Sequence, residues 1–319
     1  MTGQSMGGRR RAAQGEASTA PHRKGIFRIG EHGRIRTGWL LAASLFCYAL
    51  AAAATRYGLV RAFRALFEAW GVDDTNIHLA PAWARAVYAW HGSLATLACA
   101  ALTLLIARWL RSLWGLGHPL VEMPDGKLWR SALAGCLAAV IVATLCLLPD
   151  SMRPEWPLSE PRLDWRLPLL ALLSFAAVAA EEIFTKRVLY DGLRGRWGAL
   201  WAALTVVAVS GLIGGYAGSV TGALNALLLS GACCALYVRW GLWAAVGFRW
   251  GWGLVNMFLL GFGGGDAAVY RLYGVSEALL TGGDAGPMHG LWATAMLAGV
   301  IAWTAVKKPH NGKEKCGNE

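Results

Sequence analysis

The chain has 319 residues, of which 56% are hydrophobic and only 15% charged, with 17 tryptophans and a formal net charge of +11. Soluble domains carry roughly 25% charged residues, so this composition argues against an ordinary water-soluble globule. It also argues against nucleic-acid binding: the lysines and arginines fall in short clusters between apolar blocks, as membrane-flanking residues do, not on one basic face.

Residues 1–36 carry eight Lys/Arg among glycines and serines, with no apolar period. They read as a disordered cytoplasmic arm able to touch anionic lipid. The first apolar block comes late and lacks a small-residue cleavage site, so it reads as an uncleaved anchor. Apolar blocks of membrane-span length then follow at 38–54, 86–107, 131–148, 167–185, 198–217, 222–238, 241–262 and 291–306. The expected fold is all-α, a polytopic transmembrane helical bundle of about eight spans. Between the first two blocks, Tyr57, Val60, Phe63, Leu66 and Phe67 share one face with arginines between them, the pattern of an amphipathic helix lying on the membrane surface. The proline-rich stretch 149–166 and the glycine-rich stretch 263–290 read as loops, and 307–319 as a polar cytoplasmic tail. This divides the chain into N-terminal membrane helices (37–164) and a membrane core (165–306).

Charge asymmetry orients the bundle. With the N-terminus inside, the inner segments hold 21 Lys/Arg and the outer segments 8. That bias places both termini in the cytoplasm of a multi-pass membrane protein. The seven cysteines include no CxxC pair and no zinc-type spacing, and six of them lie inside apolar blocks, where they read as packing residues.

Ionisable residues inside spans are the first places to look for chemistry, because each costs several kcal/mol unless paired or hydrated. Glu181 and Glu182 close the fourth block and are followed by Lys186 and Arg187, while Arg249 lies inside the seventh. Asn225 and Asn256 are polar but uncharged, and Trp250 and Trp252, beside Arg249, read as packing residues. The run from Phe175 to Ile183 is apolar apart from Glu181 and Glu182, which puts Glu181 about 10 Å inside the boundary at ~1.5 Å per residue. Adjacent helical residues point ~100° apart, so one carboxylate is expected toward a polar cavity and the other against Lys186 or Arg187. Arg249 comes out at similar depth. It is a candidate for an ion pair with Glu181 or Glu182, the alternative being that it snorkels to the interface.

The run Glu181-Glu182-Ile183-Phe184-Thr185-Lys186-Arg187-Val188-Leu189-Tyr190-Asp191-Gly192-Leu193 resembles the first motif of the CAAX prenyl protease and bacteriocin-processing (CPBP) family of intramembrane proteases. The stretches from Leu236 to Phe248 and from Val275 to Leu291 are similar to later segments of that family, in the same order. The resemblance implies a membrane bundle that hydrolyses peptide bonds of membrane or prenylated peptides, with a glutamate as general base on a commonly zinc-bound water.

The departures from the pattern are specific. The family's Arg falls on Lys186 and its Gly on Arg187; its second motif falls on Leu212 to Tyr216 without a histidine; its third falls on Arg249 to Gly253, keeping Trp252 but placing Arg249 at the histidine. A catalytic zinc needs about three N, S or O ligands, and arginine does not lose its proton to bind one. No cofactor is therefore expected. The reading is a catalytically altered relative, a pseudoprotease that binds a membrane-embedded peptide or protein, with Glu181, Glu182, Lys186, Arg187 and Arg249 as the central residues and Tyr216, Trp252 and Asn225 around them. The alternatives are an active protease in which Glu181 or Glu182 activates water without histidine ligands, and, in another class, a transporter or lipid-binding protein.

Overall fold

The computed structural model describes residues 28–29, 34–72, 76–121, 127–151, 161, 163–213, 219–262, 268–270 and 278–306. Among the described residues, eight apolar helical segments form the bundle, beginning close to where the apolar blocks predict. They are α1 (Thr37–Ala69), α2 (Ala82–Trp114), α3 (Lys127–Cys146), α4 (Leu167–Trp197), α5 (Ala199–Ile213), α6 (Val220–Trp240), α7 (Leu242–Gly253) and α8 (Leu291–Val306). Five of them, α1, α2, α3, α4 and α6, are long and apolar enough to cross a membrane, and α5 and α8 are shorter apolar helices. The molecule is a multi-pass helical membrane protein.

Two helices run further than the sequence pattern suggests. Helix α1 passes through a π-helical turn, Ala54–Leu59, straight into the segment expected as a separate surface helix. Part of the apolar side of that segment is covered by α2: Phe67 is buried against Tyr88 and Phe63 faces His91, while Tyr57 and Leu66 stay exposed. Helix α4 likewise continues through a π-helical stretch, Ile183–Tyr190, to Trp197. Glu181 is therefore 16 residues from the helix end, roughly 24 Å at ~1.5 Å per residue, further than the 10 Å expected from the apolar run. Charged residues at 186 and 187 signalled an end because lysine and arginine normally mark an interface. Here burial and pairing keep them within the helix.

The N-terminal arm is not wholly irregular either, since Arg28–Ile29 pairs antiparallel with Arg34–Ile35. Arg196, near the end of α4, donates to the Ile35 carbonyl and lies 5.2 Å from the Trp114 ring, tying this end of three elements together.

The expected boundary at residue 164 is not a packing boundary. Helix α3 makes its principal contact with α7, and glycines set their separation. A Cβ on Gly247 would lie 1.9 Å from the Ala132 carbonyl oxygen, one on Gly251 2.6 Å from the Cys136 oxygen, and one on Gly135 2.2 Å from the Ala244 oxygen. Gly247 and Gly251 are four apart on one face of α7, so the two backbones meet where lipid offers no hydrophobic drive and close van der Waals contact must hold helices together. This interlock fixes α7, and with it Arg249, against the rest of the bundle.

Candidate functional site

The two acidic residues of α4 and the arginine of α7 meet inside the bundle. Arg249 donates from Nη1 to Glu182 Oε1 at 2.9 Å and from Nη2 to Glu181 Oε2 at 2.8 Å. The sequence argument assigned the adjacent carboxylates separate roles. Glu182 does meet Lys186 as that division expects, but both side chains also flank a single guanidinium, which offers two parallel donors in a fixed fork. Arg249 does not snorkel, for its side chain is only 15% exposed.

Each carboxylate has a second cationic partner. Lys186, one turn on, places Nζ 3.3 Å from Glu182 Oε2, and both side chains are fully buried. This contact is ionic without hydrogen-bond alignment, as Oε2 accepts none. Lys186 Nζ lies instead 3.4 Å from Thr185 Oγ1, to which it donates. Glu181 Oε1 accepts from Tyr48 at 3.4 Å and faces Arg56 Nη2 at 3.5 Å, both from α1. Tyr48 is itself stacked on Phe184 with centroids 4.9 Å apart. Glu182 is thus sealed within the bundle, while Glu181 (17% exposed) forms its border.

Arg187 is not part of this cluster. It pairs with Asp191 Oδ2 at 3.7 Å and lies over the Tyr237 ring. Lys186 and Arg187 are adjacent in the π-helical stretch and point different ways, the first to Glu182 and the second to Asp191. Asp191 also accepts from Tyr237 at 2.7 Å and has His118 Nε2 at 3.4 Å, which makes a second polar cluster about two turns along α4. The i,i+4 spacing of Arg187 and Asp191 was the sequence signal for it; the approach of His118 and Tyr237 had none.

Asn225 also lies elsewhere. Its amide donates to the carbonyls of Met288 and Gly290 and accepts from Thr294, so it clamps the segment before α8 onto α6. That segment, within the Val275 to Leu291 stretch of the family resemblance, turns through positive φ at Gly282 and Gly286 (90° and 89°), conformations glycine adopts without strain. Trp252 is buried in the core next to the site, with its indole N–H unpaired among the described residues. Tyr216 lies outside the described residues. Tyr48 and Arg56 were missed as site residues because they come from a helix 125 or more residues away in the chain, and only the packing of α1 brings them to Glu181.

The donor set does not suit a metal. Three of the four glutamate oxygens face Arg249 and Lys186 or the Tyr48–Arg56 pair within 3.5 Å, and the fourth, on Glu182, binds Arg249 directly. A guanidinium thus fills the space between the carboxylates. Among the described residues no group of three His, Cys, Asp or Glu side chains comes together. No metal-dependent step can be assigned to these residues.

Residues 163–255 match the family model for type II CAAX prenyl endopeptidase Rce1-like proteins. Over this segment the chain is similar to that family of CAAX-type endopeptidases, in agreement with the motif resemblance. The matched stretch contains Glu181, Glu182, Lys186 and Arg249, so the ion-paired cluster lies inside the family region. No curated protein and no solved structure matches the chain.

Proposed function

We propose that this CAAX-protease-like membrane protein is a pseudoprotease: it keeps the family's bundle and binds a membrane-embedded peptide or protein without hydrolysing it. The observation that carries the reading is Arg249 bridging Glu181 and Glu182. A general base must hold a lone pair toward the water it activates, and an arginine at 2.8 to 2.9 Å stabilises both carboxylates as acceptors already in use. Without a Lewis acid and without a free base, the cluster favours structure over turnover. The Lys/Arg bias of the loops supports an orientation with both termini in the cytoplasm, and the basic residues before α1 suit contact with anionic lipid.

The test is made on purified full-length protein. Zinc content by elemental analysis should be well below one per chain, and a prenylated CAAX-type peptide in proteoliposomes should remain uncleaved. Stoichiometric zinc that is lost in Glu181→Gln or Glu182→Gln, or cleavage that either variant abolishes, would overturn the reading.

A further inference from the structure

A groove of about 430 Å³ runs along the outside of the bundle between α1 and α5, separate from the carboxylate cluster but sharing one wall with it. Leu45, Ala49 and Ala52 of α1 and Val209 and Leu212 of α5 give it an apolar floor and sides. Its volume falls in the range of roughly 300–1,000 Å³ typical of ligand pockets. Tyr48 and Arg56 are its polar groups, and both reach Glu181 on the far side.

The charges at that wall do not cancel. Glu181 and Glu182 are balanced by Arg249 and Lys186, which sit closer to them or more deeply buried than Arg56 does. Arg56 is a third cation on two anions, its side chain is 55% exposed, and its contact with Glu181 is 3.5 Å long. It lines the groove with its side chain about half exposed. From Leu45 to Arg56 the helix advances eleven residues, roughly 16 Å at ~1.5 Å per residue. One leaflet of a hydrocarbon core about 30 Å thick has about that depth. The groove is thus apolar over a length that matches one leaflet and cationic at its Arg56 end.

We propose that this groove holds one anionic phospholipid, its acyl chain along the small residues of α1 and its phosphate on Arg56. The site differs from the basic arm at residues 1–36, because it is a cleft with apolar walls and one defined cation. It does not rest on the pseudoprotease reading, since neither hydrolysis nor its absence enters the argument.

The experiment is native mass spectrometry of the full-length protein released from detergent, titrated with phosphatidylglycerol, with phosphatidylcholine of identical chains, or with inorganic phosphate. One phosphatidylglycerol should be retained about fivefold more tightly than phosphatidylcholine, the ratio expected from ~1 kcal/mol per basic residue against an anionic headgroup. Arg56→Ala should lower retention to the phosphatidylcholine level, and Arg56→Lys should keep most of it. Ala49→Trp, which fills the groove and leaves Arg56 in place, should abolish the tight lipid, with thermal melting reporting that each variant is folded. Equal retention of the two lipids would overturn the proposal, as would undiminished phosphatidylglycerol binding in folded Arg56→Ala or Ala49→Trp, which would locate the lipid on the basic arm. Displacement of the lipid by inorganic phosphate would also overturn it, because the site would then read a free anion.

Discussion

Replacing Arg249 by methionine tests the central geometry most directly. The side chain makes two charge-assisted hydrogen bonds, at 2.8 and 2.9 Å, in surroundings where it is 15% exposed. Removing one partner of a buried pair typically costs ~3–5 kcal/mol, because the remaining charge is left uncompensated. Here compensation is partial: Glu182 keeps Lys186 at 3.3 Å and Glu181 keeps Arg56 at 3.5 Å. The expected loss for Arg249→Met is thus near the low end, about 3 kcal/mol. Glu182→Gln in the Arg249→Met background should cost less than it does in the unmodified protein, with a coupling of about 1–3 kcal/mol, since contacting charged residues are not additive. Glu181→Gln should couple to Arg249 more weakly, because Glu181 lies at the exposed border. The assay is a double-mutant cycle on detergent-solubilised protein, read by reversible unfolding. Additive losses at both glutamates would refute the idea that the guanidinium occupies the centre of the site.

Two further outcomes test the architecture. Reporter fusions after residues 72, 155 and 275 should report outside and those after 120, 198 and 310 inside; a cytoplasmic signal after 155 would break the topology at its middle. Gly247→Ala should destabilise the bundle by about 3 kcal/mol, the upper end for overpacking, because its Cβ would stand 1.9 Å from the backbone oxygen of Ala132. A melting temperature equal to that of the unmodified protein would show that α3 and α7 can separate freely.

The amino-acid sequence by itself determined the helical membrane class and, among the described residues, roughly where the apolar helices lie, though not how far α1 and α4 run. A run of some 20 apolar residues in lipid has to satisfy its backbone hydrogen bonds internally, and the helix is the local way to do so. It also singled out Glu181, Glu182, Lys186 and Arg249, because charge within an apolar run is costly enough to stand out in one dimension. Their convergence was legible only as similar depth, and tertiary structure decided the rest. Lys186 and Arg187 are neighbours in sequence, yet one meets Glu182 and the other Asp191, a division set by the turn of the π-helical stretch Ile183–Tyr190. Asn225 has the polarity of a site residue, but the fold uses it to hold the Met288–Gly290 backbone. Tyr48 and Arg56 carry no local signal at all, since what brings them to Glu181 is the packing of α1 on a helix more than 100 residues further along the chain. Composition and periodicity report how a segment meets its solvent; which charges face one another depends on helix rotation and long-range packing, which no single segment encodes.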